Sequence, residues 1–521
     1  MGLVFALTTL LGAAFLLCLR LLRRRSPIGF IPGPPSSSWL FGNGLDISVC
    51  NVWGQHEFDW QKKYGPVYRV KGCMGIDQLM VSDPHAVQHI CTSSAFAMPP
   101  NVGHIRKTVF GKLSVLTVTG ESHRRLRTAL NPAFSSGSVR KLIPLLGNTA
   151  TMLTSDLEKS LLPNTDTIDM SPILAKATLS AITEAVFGCS FTDLDDEQVS
   201  FLSDLFATFG PRRRAQFLVE SLMQYLPPFS LDLFNLFTPA PIAATISSVQ
   251  KMAQELGTRT LNQRLQSERE GLEMNDDLFG ILAKQMSGKG GLSYNEILAQ
   301  TLVLLVAGQD TTANTLTLAL RELAKNPVFQ QELRSEIHSN LVEGKLVGYD
   351  NLPLLNAFIK ETLRVYPAEP LAERVAVEDT ILPLKFPLTT TSGEQITALP
   401  IKKGQLVILA LGSYQRLEAV WGEDAQEFRP QRWIDQTPSD SAESLRLGPY
   451  ANLLTFLTGA RTCLGWRFAV LEMQVLLCEL VGKFSFALPK DDGVQIQHAL
   501  TLMPLMPSGE KGSPMRVARV V

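Results

Sequence analysis

FLTGARTCLGWRFAVLE, residues 456–472, is the stretch on which the fold turns. One cysteine, Cys463, stands in a loop bracketed by Gly459 and Gly465, with Arg461 two residues before it and an apolar-periodic run directly after it. A cysteine in that setting is inert filler, a reactive thiol or a ligand. The useful ligand is a thiolate, and cationic groups and a helix N-terminus both favour its negative charge. Arg461 and a helix expected to start near Gly465 offer both. Gly459 and Gly465 let the backbone turn tightly and approach a flat partner closely. No second cysteine or histidine stands nearby, so a zinc or iron–sulfur site lacks ligands. One thiolate as sole protein ligand fits haem iron.

The other six cysteines, Cys18, Cys50, Cys73, Cys91, Cys189 and Cys478, are dispersed and form no C-x-x-C pair. An odd, scattered set in a long chain reads as reduced thiols, not as a disulfide framework. The 521 residues are 45% hydrophobic and 19% charged, which excludes wholesale disorder. A formal net charge of -1, with no basic stripe interleaved with aromatics, argues against a nucleic-acid partner.

Upstream, GLSYNEILAQTLVLLVAGQDTTANTLTLALRELAKNP predicts one long helix. Ser293 with Glu296 reads as a capping box and Asn326-Pro327 as the stop. Leu302 to Ala307 is apolar without interruption, so this helix is expected to be buried nearly all round. Its middle nevertheless carries AGQDTT, residues 307–312. Gly308 weakens a helix by about 1 kcal/mol relative to alanine, and a Thr311 hydroxyl bonded to the carbonyl of residue 307 bends it. The expected result is a groove lined by Asp310 and Thr311.

FIKETLRVYP, residues 358–367, sets Glu361 and Arg364 on one helix face, with Pro367 ending the helix. In EFRPQRW, residues 427–433, Arg432 is placed to reach the same glutamate, and a glutamate held by two arginines is a buried fastener. Strand patterns are short: 67–72, 78–83 and 405–411 are the best. The chain therefore reads as mostly α with a small β portion.

The N-terminus differs in kind. Residues 3–22 are almost wholly apolar, roughly 30 Å as a helix and enough to cross a hydrocarbon core. Arg23, Arg24 and Arg25 follow, and neither a preceding positive region nor a small-residue cleavage site marks a signal peptide. An uncleaved transmembrane anchor is expected, with all that follows it in the cytoplasm. A basic, proline-rich hinge over residues 23–43 then reads as a stiff spacer, and residues 44–521 as a single large catalytic domain.

FLTGARTCLG matches F-x-x-G-x-R-x-C-x-G, and here the chain resembles the cytochrome P-450 monooxygenases. AGQDTT resembles the oxygen-activating helix motif of that family, ETLR its fastener and FRPQRW the arginine segment completing it. The anchor with its PGPP hinge is similar to that of microsomal members, and PGPPSSSWLFGN and CLGWRFA to fungal ones. The resemblance covers essentially the whole chain. It implies the cytochrome P-450 fold, haem b with Cys463 as axial ligand to iron, Phe456 near the sulfur, and Arg461 and Arg374 on the propionates. Where the family commonly shows W-x-x-x-R this chain has HRRLR, so Arg127 fits and His123 replaces the tryptophan.

Asp310 and Thr311 are then implied to deliver protons. The implied partners are dioxygen, a lipophilic small molecule, the lipid bilayer, and a membrane-bound reductase that passes on electrons from NADPH. The implied place is the endoplasmic reticulum membrane, spanned once. The substrate of fungal relatives is often a terpenoid or other secondary metabolite. Residues 96–110 and 370–372 fall where the family contacts substrate, and the apolar stretch 217–237 reads either as core or as an entrance dipping into the bilayer. Two rival functions are a haem-thiolate isomerase or dehydratase, and a membrane-anchored haem or sterol binder.

Overall fold

The computed structural model describes residues 26–49, 52–161, 167–188, 214–224, 226, 231, 240–271, 277–286, 291–342, 345–346, 348–435 and 447–520. The anchor segment 3–22, its arginines and part of 217–237 lie outside these residues. Among the described residues no helix is long and apolar enough to cross a membrane.

The protein is mostly helical with small sheets. The elements that build the site are helices α1 (Pro84–Thr92), α2 (Pro100–Phe110), α3 (Gly120–Leu130), α4 (Met170–Phe187), α5 (Tyr294–Leu298), α6 (Thr301–Lys325), α7 (Pro353–Val365) and α8 (Trp466–Lys483). The strands nearest to it, among others, are β1 (Val67–Lys71), β2 (Asp77–Val81), β3 (Phe96–Ala97), β4 (Leu371–Ala376), β5 (Leu406–Ala410), β6 (Gln495–His498) and β7 (Leu502–Leu505). The first five form one sheet in the order β1-β2-β5-β4-β3. β1 and β2 pair antiparallel, β5 lies parallel to β2, and β4 runs antiparallel to β5 with Arg374 opposite Val407. The three strongest strand patterns of the sequence are thus neighbours in one sheet. β5 is buried at every residue, which explains its unbroken apolar run.

α6 runs through the main core, its apolar residues packed in one cluster with those of α4, α7 and α8. The long helix read from the sequence is split. The capping box at Ser293 and Glu296 is present, but α5 ends at Leu298 and α6 begins at Thr301. The cause is Gln300, whose buried amide donates to the carbonyls of Leu113 (3.0 Å) and Glu296 (2.7 Å) and accepts from the Val115 amide (2.9 Å). A side chain that competes for the backbone groups of a first turn interrupts the ladder there.

The proline-rich stretch is not held off as a spacer. Ile28 and Ile31 are fully buried, and the Arg69 amide of β1 donates to the Pro32 carbonyl at 3.0 Å. A Cβ on Gly33 would sit 1.8 Å from the Arg69 carbonyl oxygen. Prolines do keep the stretch from coiling, and the extended backbone that results lies against the sheet edge.

Candidate active site

Among the described residues, backbone strain gathers in the segment that leads to Cys463. Three of the four non-glycine residues with positive φ among the described residues are Ala451, Asn452 and Leu457. Such positions cost of order 1–3 kcal/mol each and cluster at functional sites. The Cys463 amide donates to the Phe456 carbonyl (2.8 Å) and the Thr462 hydroxyl to the Gly459 carbonyl (2.7 Å), closing the loop. Phe456 is buried against Tyr450 and Trp466.

Gly459, at φ +71°, is required on two counts, because a Cβ there would lie 2.4 Å from the Cys91 carbonyl oxygen of α1. Its missing side chain thus makes room for protein backbone, not for a flat partner. A Cβ on Gly465 would meet only Phe134, at 3.7 Å. Gly465 is the residue preceding α8.

Among the described cysteines, all free, Cys463 alone is exposed. It lies deep in the molecule with its surface open to a cleft. Burial pushes its thiol up to about 11, with Glu369 acting in the same direction, against the Gly465 amide and Arg127, which pull it down. The helix start expected from the sequence does favour the thiolate, through the Gly465 amide, but Arg127 and not Arg461 is the arginine that acts, and desolvation outweighs both. A coordinated metal deprotonates a thiol outright, so ligation itself would supply the charge. An open cavity of about 350 Å³ against this loop is lined by Arg127, Phe134, Cys463, Trp466 and Arg467 among others. It includes no residue of α6, so it is distinct from the α6 groove.

Cations converge on this loop from four separate elements. Arg461 donates to the carbonyls of Val115 (2.9 Å) and Val118 (2.6 Å), and Arg127 of α3 to that of Thr462 (2.6 Å). Arg374 of β4 donates to the Glu373 carbonyl (2.7 Å). Burial, together with Arg106, Arg374 and Arg127, lowers Arg461 to about 10. Burial, Arg461 and Arg127 push His123 down to about 4, so its ring is neutral at neutral pH. Glu369 is the one carboxylate that acts on Arg374 in this group.

A half-buried cluster of like charges is unfavourable unless an anion joins it. The residues therefore fit haem, whose two propionates would supply negative charge to this group. Arg106 of α2 was not singled out by sequence. Its only signal is its position inside the stretch 96–110, and a lone arginine in an amphipathic helix announces nothing.

In α6, every residue from Thr301 to Leu323 is buried except Ala307, Gly308 and Thr311. At i, i+1 and i+4 these three make one open strip. Thr311 donates to the Ala307 carbonyl at 2.9 Å. The helix is nonetheless unbroken, and Gly308 has a packing reason: a Cβ there would lie 2.5 Å from Ile182 of α4. Gly308 thus answers the close approach of α4, and no turn of the helix is loosened.

Asp310 does not share that strip, since successive helical residues face about 100° apart. It is buried, with its carboxylate accepting from Lys511 (2.5 Å), Thr501 (2.7 Å) and Asn314 (3.0 Å). Lys511 and Thr501 come from beyond β6 and beside β7, some 190 or more residues away, and no local pattern links them to Asp310.

Glu361 and Arg364 of α7 are fully buried. Arg364 grips both carboxylate oxygens, at 2.8 and 2.7 Å, and donates to the carbonyls of Gln415, Ala425 and Glu427. Arg432 Nε stands 3.5 Å from the same carboxylate. The Arg429 amide (2.8 Å) and the Trp433 indole (2.9 Å) complete its hydrogen bonds. Sequence missed Trp433.

The cytochrome P-450 family profile matches residues 32–510. A cytochrome P-450 monooxygenase of Ampulloclitocybe clavipes is 32% identical over 520 residues, covering 96% of this chain and 95% of that protein. A monooxygenase of Postia placenta is 30% identical, with 95% and 94% covered. Ganoderic acid synthetase of Ganoderma lucidum is 30% identical over 509 residues, with 92% of each chain covered.

Proposed function

The chain belongs to the cytochrome P-450 family, and we propose that it is a microsomal monooxygenase placing one atom of dioxygen in a lipophilic secondary metabolite, with a terpenoid as the first class to test. The observation that carries this reading is the exposed Cys463 at the meeting point of four arginines. Haem b, when bound, supplies the redox chemistry, tuned by its thiolate ligand.

The chain's own residues then have these roles. Cys463 holds the iron, and Arg127, Arg374, Arg461 and Arg106 hold the propionates, with neutral His123 offering a ring N–H. Thr311, on the open strip of α6, keeps two lone pairs at Oγ1 after donating to Ala307, enough to hold a water at the groove. Asp310, paired with Lys511, joins that turn to the protein surface, since the Lys511 side chain is 28% exposed. Protons reach the groove from that side. Glu361, Arg364 and Arg432 brace the fold behind the cysteine loop.

Electrons come from a separate membrane-bound reductase that uses NADPH, a partner in keeping with the family. Residues 3–22 anchor the chain once in the endoplasmic reticulum membrane. Supporting a bilayer-facing surface, Trp39 and Leu40 are exposed, as is Val219 of the helix Arg214–Met223. That helix packs on the segment that begins at Gly44, with the Phe217 ring where a Cβ of Gly44 would be. The relative named for ganoderic acid supports a secondary metabolite as substrate.

The test is turnover in yeast microsomes with a reductase, NADPH and isotopically labelled dioxygen across a terpenoid panel. A product carrying one labelled atom supports the reading. Product without label points to rearrangement and overturns it. Thr311→Ala is expected to keep haem and divert reduction to peroxide several-fold, by peroxide assay against product formed.

A further inference from the structure

Gln300 is wholly buried, and its side-chain amide uses both hydrogens and its oxygen. It donates to the carbonyls of Glu296 and Leu113, at 2.7 and 3.0 Å, and accepts from the Val115 N–H at 2.9 Å. Leu113 and Val115 stand 187 and 185 residues earlier, in the loop between α2 and α3. The carbonyl of the same Val115 accepts from Arg461 at 2.9 Å, and Val118 accepts the second Arg461 bond at 2.6 Å. Gln300 and Arg461 thus hold one residue of this loop, the first by its N–H and the second by its C=O. The charged side chains acting on Arg461 are themselves arginines, so the loop and not an ion pair orients its guanidinium.

We infer that Gln300 is a positioning residue for the cofactor: it fixes the loop 113–118, and the loop in turn fixes the guanidinium of Arg461. Two donors of that fork are taken by the loop, which sets the plane in which the others meet a propionate. An amide suits the task because it offers two donors and an acceptor side by side, where a carboxylate offers acceptors alone. α5 carries a second arm of the same bracket. The Glu296 side chain accepts from Arg125 of α3, while its carbonyl accepts from Gln300. Residues two apart on a helix face about 200° apart. α3 therefore shows Arg125 to α5 and Arg127 to Thr462 of the cysteine loop. The short helix Tyr294–Leu298, cut off from α6 at Gln300, holds both the loop under Arg461 and the helix that carries Arg127.

The inference rests on the haem reading, and its tests use the full-length holoenzyme. In the wild type the Val115 amide is expected to exchange its hydrogen slowly, and fast exchange overturns the proposal. Gln300→Met should speed that exchange and also haem transfer to apomyoglobin, the latter about five- to tenfold for the bonds lost. Arg461→Met should speed haem transfer without freeing the Val115 amide. On top of Arg461→Met, the change Gln300→Met is expected to add nothing to haem loss. Additive effects would make Gln300 a structural residue only and refute its positioning role. The propionate bending mode in resonance Raman spectra should shift in Gln300→Met as it does in Arg461→Met, and an unmoved mode breaks the link. Gln300→Glu keeps the acceptor for Val115 and loses both donors, and it takes the place of Gln300→Met if that variant does not fold. Should the wild type carry no haem at all, the family reading fails, while exchange at Val115 still decides whether the loop hangs from Gln300.

Discussion

Two groups of charge in this molecule, one fully buried and one half-buried, are built on opposite plans. Around Glu361, one carboxylate meets two guanidinium groups, a backbone amide and an indole, and its charge is answered within the protein. Around Cys463, arginines from four elements crowd together with Glu369 as the one acid acting among them. The first is closed and would hold its shape with nothing bound. The second is open and is complete only when an anion arrives. A charge cluster therefore tells structure from function by whether its charges balance.

The sharpest break of that contrast is Cys463→Ala, expected to abolish the red-shifted Soret band of the ferrous carbon monoxide complex while leaving the fold. A variant that kept the band would refute the ligand assignment. Next comes the closed cluster. Glu361→Gln strands Arg364 and Arg432 in the dry interior, and breaking a buried pair costs about 3–5 kcal/mol. Chemical denaturation should show that loss with and without haem.

The open cluster should behave with the opposite sign in its two states. Replacing Arg461 and Arg127 together by methionine is expected to speed haem loss about tenfold or more. The same pair should leave the cofactor-free protein no less stable, since it relieves repulsion. If both states weaken equally, the arginines are structural and the contrast collapses.

The smallest effect concerns pH. His123 has a folded-state pKa near 4 against an unfolded value near 6.5, so the unfolded chain binds more protons between the two. Stability is expected to fall as pH drops through that window. His123→Gln should flatten the slope in the cofactor-free protein, read as unfolding midpoint against pH.

How much of this could be read along the chain depended on whether the contact was local. Glu361 with Arg364 is an i, i+3 pair, so its facing follows from helix geometry. The capping box, the end of α7 before Pro367 and the three paired strand segments are local in the same sense. The fastener was legible except for Trp433, which needed the fold to bring its indole to Glu361. The partners of Asp310 were illegible, since Thr501 and Lys511 are far away in sequence. Gly308 invited a plausible local account, a loosened turn, and the actual reason was a neighbour, Ile182. The proline stretch behaved the same way: its extended form was local, its packing on β1 was not.

By itself, then, the sequence determined the family and the mostly helical character, and singled out Cys463 as the candidate ligand. Those follow from residue types at short fixed spacings, where backbone geometry alone decides which side chains meet. Tertiary structure decided the rest: which arginines gather at Cys463, which way Asp310 turns, and that Gln300 holds the loop on which Arg461 rests. Long-range packing sets burial, and burial fixes whether a charge must be balanced, neutralised or left waiting for a ligand.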